Sequence, residues 1–473
     1  MPMTLLLPEL TMSIMALVLF FCCLGNFKAV TLQWVAMVFS LLSLAAAVAA
    51  CDNEGILFYD TYRVDGLSQL FKIIITLGLF LVLNTGQGLR GVEPKLQAEY
   101  YLFLAVGTLG LILLSSSYEL LTIVMSLEIA AFALYVIIPF RRPDMYRSHM
   151  EAAIKYFLFG VIATGIMLYG MSYLFGLGNS TYLSELTVSL PKLISTEPLA
   201  VVGMVTMLCG FFYKLALFPM HFLTPDVYEG SSNETASFIA TLPKVAAVAV
   251  IIRLVNLAGP EVGRLTWVLA VFAILSMTVG NLAALVQNDL KRLLAYSSIA
   301  HAGYVMIGVL SANQLGFAAS TYYMLGYLLM NLACFYVICH LAPNGENLTF
   351  DHLRGLYRRS PLLAFTLSAG AFGLTGIPPT IGFTGKFLIF TAALQKGFYA
   401  LVILAVMNAA ISLFYYLKMV RAAYSQVDDA GETVALSTQA TVLGFFLIAS
   451  IILTGILPQE FIALAKEAVE GLR

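Results

Sequence analysis

Charge is what this sequence has least of. Asp, Glu, Lys and Arg make up 11% of its 473 residues, and the formal net charge is −1. A soluble domain carries about a quarter charged residues, so a water-facing globule of this length is excluded. A net charge this close to zero gives nucleic acid no electrostatic hold, which removes it as a partner. Cysteines are few and unpatterned: Cys22, Cys23, Cys51, Cys209, Cys334 and Cys339 form no CxxC, and the histidines do not cluster beside them. Zinc or iron–sulfur ligation by this chain is therefore not expected, and no metal site is assigned. The N-terminal apolar run lacks a basic leader and a small-residue cleavage site, and it carries Glu9. It reads as a retained first span rather than a signal peptide.

What the chain has in abundance is apolar sequence, 60% of it, with a mean hydropathy of +0.90. Runs long enough to cross about 30 Å of hydrocarbon recur throughout. They predict spans over 4–24, 29–50, 64–85, 98–116, 119–139, 150–175, 198–222, 234–257, 265–287, 292–311, 316–341, 362–391, 397–424 and 439–458. Spans of this length in lipid are helices. The expected fold is an all-α polytopic membrane protein of about fourteen transmembrane helices embedded in the lipid bilayer, with no soluble domain. The polar link from Gly176 to Pro198 is too short to fold alone. Lysines and arginines favour the loops after odd-numbered spans by 13 to 6. That bias puts those loops in the cytoplasm and both termini outside.

Two spans read as broken. The seventh, GFFYKLALFPMHFLTPDVYEG, holds Pro219 and Pro225; the twelfth, FGLTGIPPTIGFTGKFLIF, holds Pro378 and Pro379 among glycines. Proline removes a helix hydrogen bond, and irregular backbone at membrane depth survives only where it is buried or lines a wet cavity. A proline kink explains either one alone. Two of them, each near an intramembrane lysine, fit a transport site at discontinuous helices. Lys214 and Lys386 lie 172 residues apart, Glu128 and His301 173, and Lys244 and Lys418 174. Spans 4–8 and 9–13 therefore read as two five-helix repeats, and an odd helix count inverts the second in the membrane. The expected divisions are 1–96, an N-terminal three-helix segment; 97–257, the first repeat; 258–425, the second; and 426–473, a C-terminal helix and tail.

Lysine in mid-span is unfavourable by roughly 2.5–3.5 kcal/mol on insertion scales, so it seeks the interior and a partner. A buried lysine near a carboxylate is poised to gain and lose a proton. Lys214, Lys244 and Lys386 are the lysines of this kind. Glu128, in SLEIAAFALYVI, has no partner within a turn, which points to Lys214 on another span. His301, in SSIAHAGYVMIG, carries a group that shuttles protons near neutral pH. Lys155 follows Glu151 by one turn, the spacing of an ordinary ion pair, so it stands between structure and relay. His221 either passes protons or caps the broken helix. Asp226 and Glu229 either organise a cytoplasmic access path or are simply solvated. Tyr322, Tyr323 and Tyr327 either pack or hold water. Lys72, early in its span, is expected to snorkel to the outer interface.

KLALFPMHFLTPDVYEG, ATLPKVAAV, NDLKRLLAYSSIAHAGY and GIPPTIGFTGKF together resemble the N subunit of bacterial respiratory complex I, the proton-translocating NADH:quinone oxidoreductase. The resemblance runs through spans 4–13, with a compatible VDG at Val64–Gly66. It implies the fourteen-span antiporter-like fold. It implies a proton relay in which Glu128 and Lys214 form the input pair, and Lys244 and His301 connect them to Lys386 on the exit side. It implies a multi-pass subunit of a bacterial inner membrane, with no cofactor on this chain; FMN, iron–sulfur clusters and quinone belong to other subunits. An M-type antiporter-like subunit and small K-, J- and A-type subunits would be its neighbours. SSNETASFIA departs from the proline- and alanine-rich segment usual after PDVYEG, and Glu234 within it has no family role; neither does Lys72. The alternative is a multisubunit cation/proton antiporter or membrane hydrogenase subunit of the same fold. An intramembrane prenyl transferase would need an acidic metal cluster, and only Asp428–Asp429 pair up, in a loop. A passive scaffold with structural ion pairs is the remaining reading.

Overall fold

The computed structural model describes residues 3–25, 27–86, 88–142, 148–259, 263–426 and 432–472. Arg147 and Arg473, which enter the 13-to-6 count of loop and tail cations, and Asp428 and Asp429 lie outside them. The chain is a bundle of helices, as backbone polarity in lipid demands. In order they are α1 (Leu7–Cys23), α2 (Ala29–Ala49), α3 (Gly66–Thr85), α4 (Gln97–Ser116), α5 (Leu120–Ile137), α6 (Ser148–Gly178), α7 (Leu183–Thr196), α8 (Pro198–Leu215), α9 (Thr224–Gly230) and α10 (Asn233–Leu257). Then follow α11 (Gly263–Leu285), α12 (Leu290–Leu310), α13 (Gln314–Leu341), the single turns α14 (Phe350–Leu353) and α15 (Leu356–Arg359), α16 (Pro361–Thr375), α17 (Ile381–Gln395), α18 (Tyr399–Ala423), α19 (Thr438–Ile456) and α20 (Gln459–Glu470). A hairpin, β1 (Gly55–Leu57) and β2 (Tyr62–Val64), joins α2 to α3.

Thirteen helical stretches among the described residues are long and apolar enough to span a membrane. The fourteenth expected span is the pair α16 and α17, each half too short alone. α10 is the axis: its apolar window is 100% buried, and those of α12 and α13 are 94%, against 33% for α2, α6 and α19. α10 packs on α3, α4, α8, α12 and α13.

Two elements lay hidden in the sequence. The polar link expected after span 6 contains α7, whose Leu183, Leu186, Leu190 and Ile194 are buried at helical spacing; such a helix lies along a surface rather than across it. The tail forms the amphipathic α20, which packs against α3 and α13.

Both expected breaks are present. α8 ends at Ala216 and α16 at Gly376, each in the left-handed region. Gly376 is required there: φ is +90°, and a Cβ would stand 3.1 Å from Lys386 Cδ. Pro225 does not break a helix; it opens α9 at the first turn, where its missing N–H is harmless. α5 and α12 open with the same local devices. Glu119 caps α5 and Asp289 caps α12 through their carboxylates, and each forms a backbone bridge, to Tyr182 and Thr349. Counted from those caps, Glu128 matches Ser298, one turn before His301, rather than His301 itself. Lys214 precedes its break while Lys386 follows its own, and α9 has 7 residues where α17 has 15. Lys244 is buried whereas Lys418 is exposed and lies over the Phe350 ring. The similar sequence offsets therefore do not mark equivalent side chains.

Candidate functional site

Helix ends leave carbonyls without partners, and a break inside the membrane buries them. At both breaks a lysine on another helix supplies a donor. Lys244, on α10, donates to Leu215 O of α8 (3.2 Å) and to Ser298 Oγ (2.8 Å). Lys386, on α17, donates to Leu374 O (2.9 Å) and Thr375 O (2.8 Å), the last carbonyls of α16. An ammonium at a helix C-terminus also meets the negative end of the helix dipole. By role, then, Lys244 and Lys386 correspond, a relation that offsets along the sequence do not show.

Lys214 is held differently. It sits in the last turn of α8, buried, with no hydrogen-bond partner on Nζ. Its ammonium lies 5.3 Å from the ring centres of Tyr156 and Tyr213 and 5.5 Å from that of Tyr135. This is an aromatic cage that stabilises a cation through the ring quadrupoles. Glu128, expected as its partner, instead accepts from Thr164 Oγ1 on α6 (2.6 Å). The two are not in contact, although Glu128 is the charge that acts on Lys214.

Two small cavities connect these groups. The first, about 20 Å3 in water-accessible volume, has Lys214 and Lys244 on its walls with Tyr156, Tyr228, Ile239 and Pro243. The second, about 10 Å3, has Lys244, Ser298, His301 and Tyr327. A cavity of roughly 10–15 Å3 by this measure holds a water, given polar partners. Lys244 is the residue common to both. Pro243, inside α10, has no N–H to donate to Ile239 O, so the helix ladder is interrupted beside the first cavity. That proline was visible in ATLPKV, and its position inside a helix was its signal.

His301 is buried among tyrosines. Nδ1 is 2.5 Å from the Tyr323 hydroxyl and Nε2 is 3.2 Å from that of Tyr416, which also bonds Ser297. The Tyr304 ring lies beside His301 and, 4.7 Å away, beneath the Lys386 ammonium. The charges of Lys386 and Lys244 both reach this imidazole. Tyr327 spends its hydroxyl on Ala240 O (3.1 Å), and Tyr322 on Thr454 O (2.7 Å).

The remaining candidates separate from this line. Lys155 pairs with Glu151 at 2.6 Å and with Asp226 at 3.0 Å, and Arg292 pairs with Asp226 at 2.9 Å and Glu229 at 2.6 Å. Asp226 and Glu229 are thus engaged in a half-exposed ion network. Burial pushes the Asp226 carboxyl up, but bonds and charges from Lys155 and Arg292 outweigh it and hold the group below the usual carboxylate range. His221 stacks on Phe218, with Nδ1 unpartnered. Lys72 does not snorkel. It is fully buried and pairs with Glu9 at 2.6 Å, and Tyr62 donates to the same carboxylate oxygen. Asp65 of the VDG segment caps α3 and takes a two-pronged ion pair from Arg253 of α10, at 2.6 and 2.7 Å. Among the described residues no group of three or more His, Cys, Asp or Glu is arranged to hold a metal ion.

The family described as NADH:quinone oxidoreductase/Mrp antiporter, transmembrane, matches residues 117–412. The chain is similar to NADH-quinone oxidoreductase subunit N 2 of Opitutus terrae, 47% identical over 454 residues, covering 96% of this chain and 95% of that one. It is similar to a chain of respiratory complex I from Thermus thermophilus at 30% identity, with a TM-score of 0.84 over 97% of this chain and 99% of that one. A chain of the Mrp complex from Dietzia sp. superposes with a TM-score of 0.88 over 100% and 98% of the two chains, at 19% identity, which shows the shared fold alone. The antiporter alternative shares the architecture, but the relative of high identity is a complex I subunit N. The chain belongs to the family of NADH-quinone oxidoreductase subunit N, proton-translocating membrane subunits of that enzyme.

Proposed function

We propose that protons cross this subunit along Glu128, Lys214, Lys244, His301 and Lys386, with water in the two cavities and the tyrosines around His301 completing the path. The observation that carries this reading is Lys244: it lines both cavities, with Lys214 across one and His301 across the other. The lysines in the line have two kinds of stabiliser of the charged form: a cage of rings for Lys214, and helix-end carbonyls for Lys244 and Lys386. A proton that leaves Lys244 or Lys386 weakens charge-assisted bonds to a helix end. Protonation is thereby tied to the packing of the broken helices, which is what alternating access requires. Moving one charge against 100 mV takes about 2.3 kcal/mol. That work comes from electron transfer in partner subunits, which hold the FMN, iron–sulfur clusters and quinone.

The subunit sits in a bacterial inner membrane with both termini toward the periplasm. It lies beside an M-type antiporter-like subunit and the small K-, J- and A-type subunits. Lys155, Glu151 and His221 serve the cytoplasmic end, and the two five-helix units at 97–257 and 258–425 form the half-channels.

The test is Lys244→Met in the intact complex, reconstituted in liposomes. Quinone-dependent NADH oxidation and assembly should persist in some measure while acidification per NADH is lost. Undiminished acidification would sink the relay.

A further inference from the structure

Glu234 has no part in the relay proposed above, and its surroundings are built around a carboxylate. It is buried in the first turn of α10, 4% exposed, and its Oε2 has no hydrogen-bond partner. Two glycines of the α3–α4 loop close over it. A Cβ on Gly86 would fall 2.7 Å from Glu234 Cγ, and one on Gly91 would fall 2.9 Å from Oε2. Lys291, at the start of α12, is fully buried, feels the Glu234 charge, and donates to Ser231 O at 2.9 Å. The groups acting on or acted on by Glu234 are the Ser232 hydroxyl at the cap of α10, the backbone N–H groups of Gly91 and of Glu234 itself, Lys291 from α12, Tyr100 and Tyr101 from α4, and Cys339 from α13. Arg141 acts on Lys291 in turn and binds Glu229 O and Gly345 O, each at 2.6 Å.

From Glu234, one face of α10 leads to Lys244. Ser237, Thr241 and Lys244 follow at three, seven and ten residues, within about a quarter-turn at 3.6 residues per turn. All three are buried in the most enclosed helix of the fold. Ser237 and Thr241 bond back along the helix, to Glu234 O and Ser237 O. On the neighbouring α13, buried Asn331 leaves its Oδ1 unpaired one turn from Tyr327, whose hydroxyl meets Ala240 O. An apolar helix contact needs none of this polarity.

We propose that Glu234 is a second proton-loading carboxyl. It captures protons on the side of the α3–α4 loop and passes them along the Ser237–Thr241 face of α10 to Lys244, in parallel with Glu128 and Lys214. Lys291 is its counter-charge. No bond other than O–H and N–H is made or broken: a proton leaves the carboxyl and arrives on the amine. The proposal rests on Lys244 acting as a relay.

The experiment uses the whole complex in liposomes, reading acidification per NADH against pH for E234Q, E234D, E128Q and E128Q/E234Q. With Lys244→Met as the reference for the relay itself, E234Q should assemble and lose coupling several-fold at alkaline pH, where protons are scarce, and little at acidic pH. E234D should keep the wild-type profile, E128Q alone should leave residual pumping, and the double variant should abolish it. A wild-type profile for E234Q overturns the proposal, as does equal loss in E234D. Failure of E234Q to assemble also overturns it, because a carboxyl that loads and unloads a proton must be tolerated in its neutral form. Loss in Lys244→Met combined with an unaltered E234Q profile refutes this site and leaves the main relay standing.

Discussion

Replacing Lys72 with methionine should destabilise the docking of the N-terminal helix far more than the loss of one side chain implies. Lys72 Nζ lies 2.6 Å from Glu9 Oε1, with side-chain exposures of 0% and 6%, and the Tyr62 hydroxyl donates to the same oxygen at 2.6 Å. At an effective dielectric of 20, unit charges at that distance attract by about 6 kcal/mol, most of it offset by the desolvation of both groups. The net worth of the pair is therefore small. Breaking it from one side is another matter: Lys72→Met leaves a buried carboxylate without its cation, a loss of about 3–5 kcal/mol. Glu9→Gln in the same background removes the stranded charge and keeps an acceptor for Tyr62. The Lys72→Met/Glu9→Gln double variant should recover most of the loss. The assay is thermal unfolding of the detergent-purified complex, with protease sensitivity of the α1–α2 segment as a local readout. A double variant no more stable than Lys72→Met would show that the two charges are not coupled, and the reasoning would fail.

Lys386→Met should strand Leu374 O and Thr375 O at the end of α16, at about 1–3 kcal/mol for each buried unpaired group; acidification per NADH should vanish, and the melting temperature should fall. In the Lys214 cage, Tyr135→Phe keeps a ring face and should leave coupling near wild type, whereas Tyr135→Leu removes about 0.5–2 kcal/mol of cation–π attraction. The leucine variant should shift the pH dependence of pumping, and equal profiles for the two would remove the cage from the mechanism. Asp226→Asn should alter stability by no more than about 1 kcal/mol per half-exposed pair. Its carboxyl is held below the ordinary range, so its contribution is complete above an unfolded pKa of about 3.9 and lost only as pH falls through the lower folded value. The effect of Asp226→Asn should thus be flat across neutral pH; a slope there would contradict the ion pairing.

Span number, the two breaks and the burial of the mid-span lysines were legible because each rests on local sequence: length of apolar run, proline beside glycine, a charge in mid-span. Partnership was not legible, because it crosses tens to hundreds of residues. Glu9 stands 63 residues before Lys72, so the lysine read as a snorkelling one. Leu215 stands 29 residues before Lys244, and its carbonyl carries no side-chain signal at all. The tyrosines of the Lys214 cage come from α5, α6 and α8, and aromatic residues in apolar helices read as packing. α7 escaped notice because its apolar stripe is one-sided and shorter than a span.

The breaks explain why lysine, rather than any polar group, belongs at these positions. A helix ending inside the bilayer presents several carbonyls and the negative end of its dipole, with no bulk water to satisfy them. Serine or asparagine would satisfy one carbonyl and carry no charge. An ammonium satisfies two or three, and its strength as a donor depends on a proton it can release. At Lys386 both carbonyl bonds come from the one nitrogen; at Lys244 one bond goes to the helix end and one to Ser298, in the turn before His301. In the proposed relay, each deprotonation would loosen the end of a half-helix at the moment the proton leaves, and each reprotonation would tighten it. Replacing Lys244 with arginine tests this link, since arginine caps the carbonyl but does not deprotonate. Lys244→Arg should hold the break closed, keep the complex stable, and stop proton flow. Pumping by that variant would mean that the lysine's proton is not the one carried.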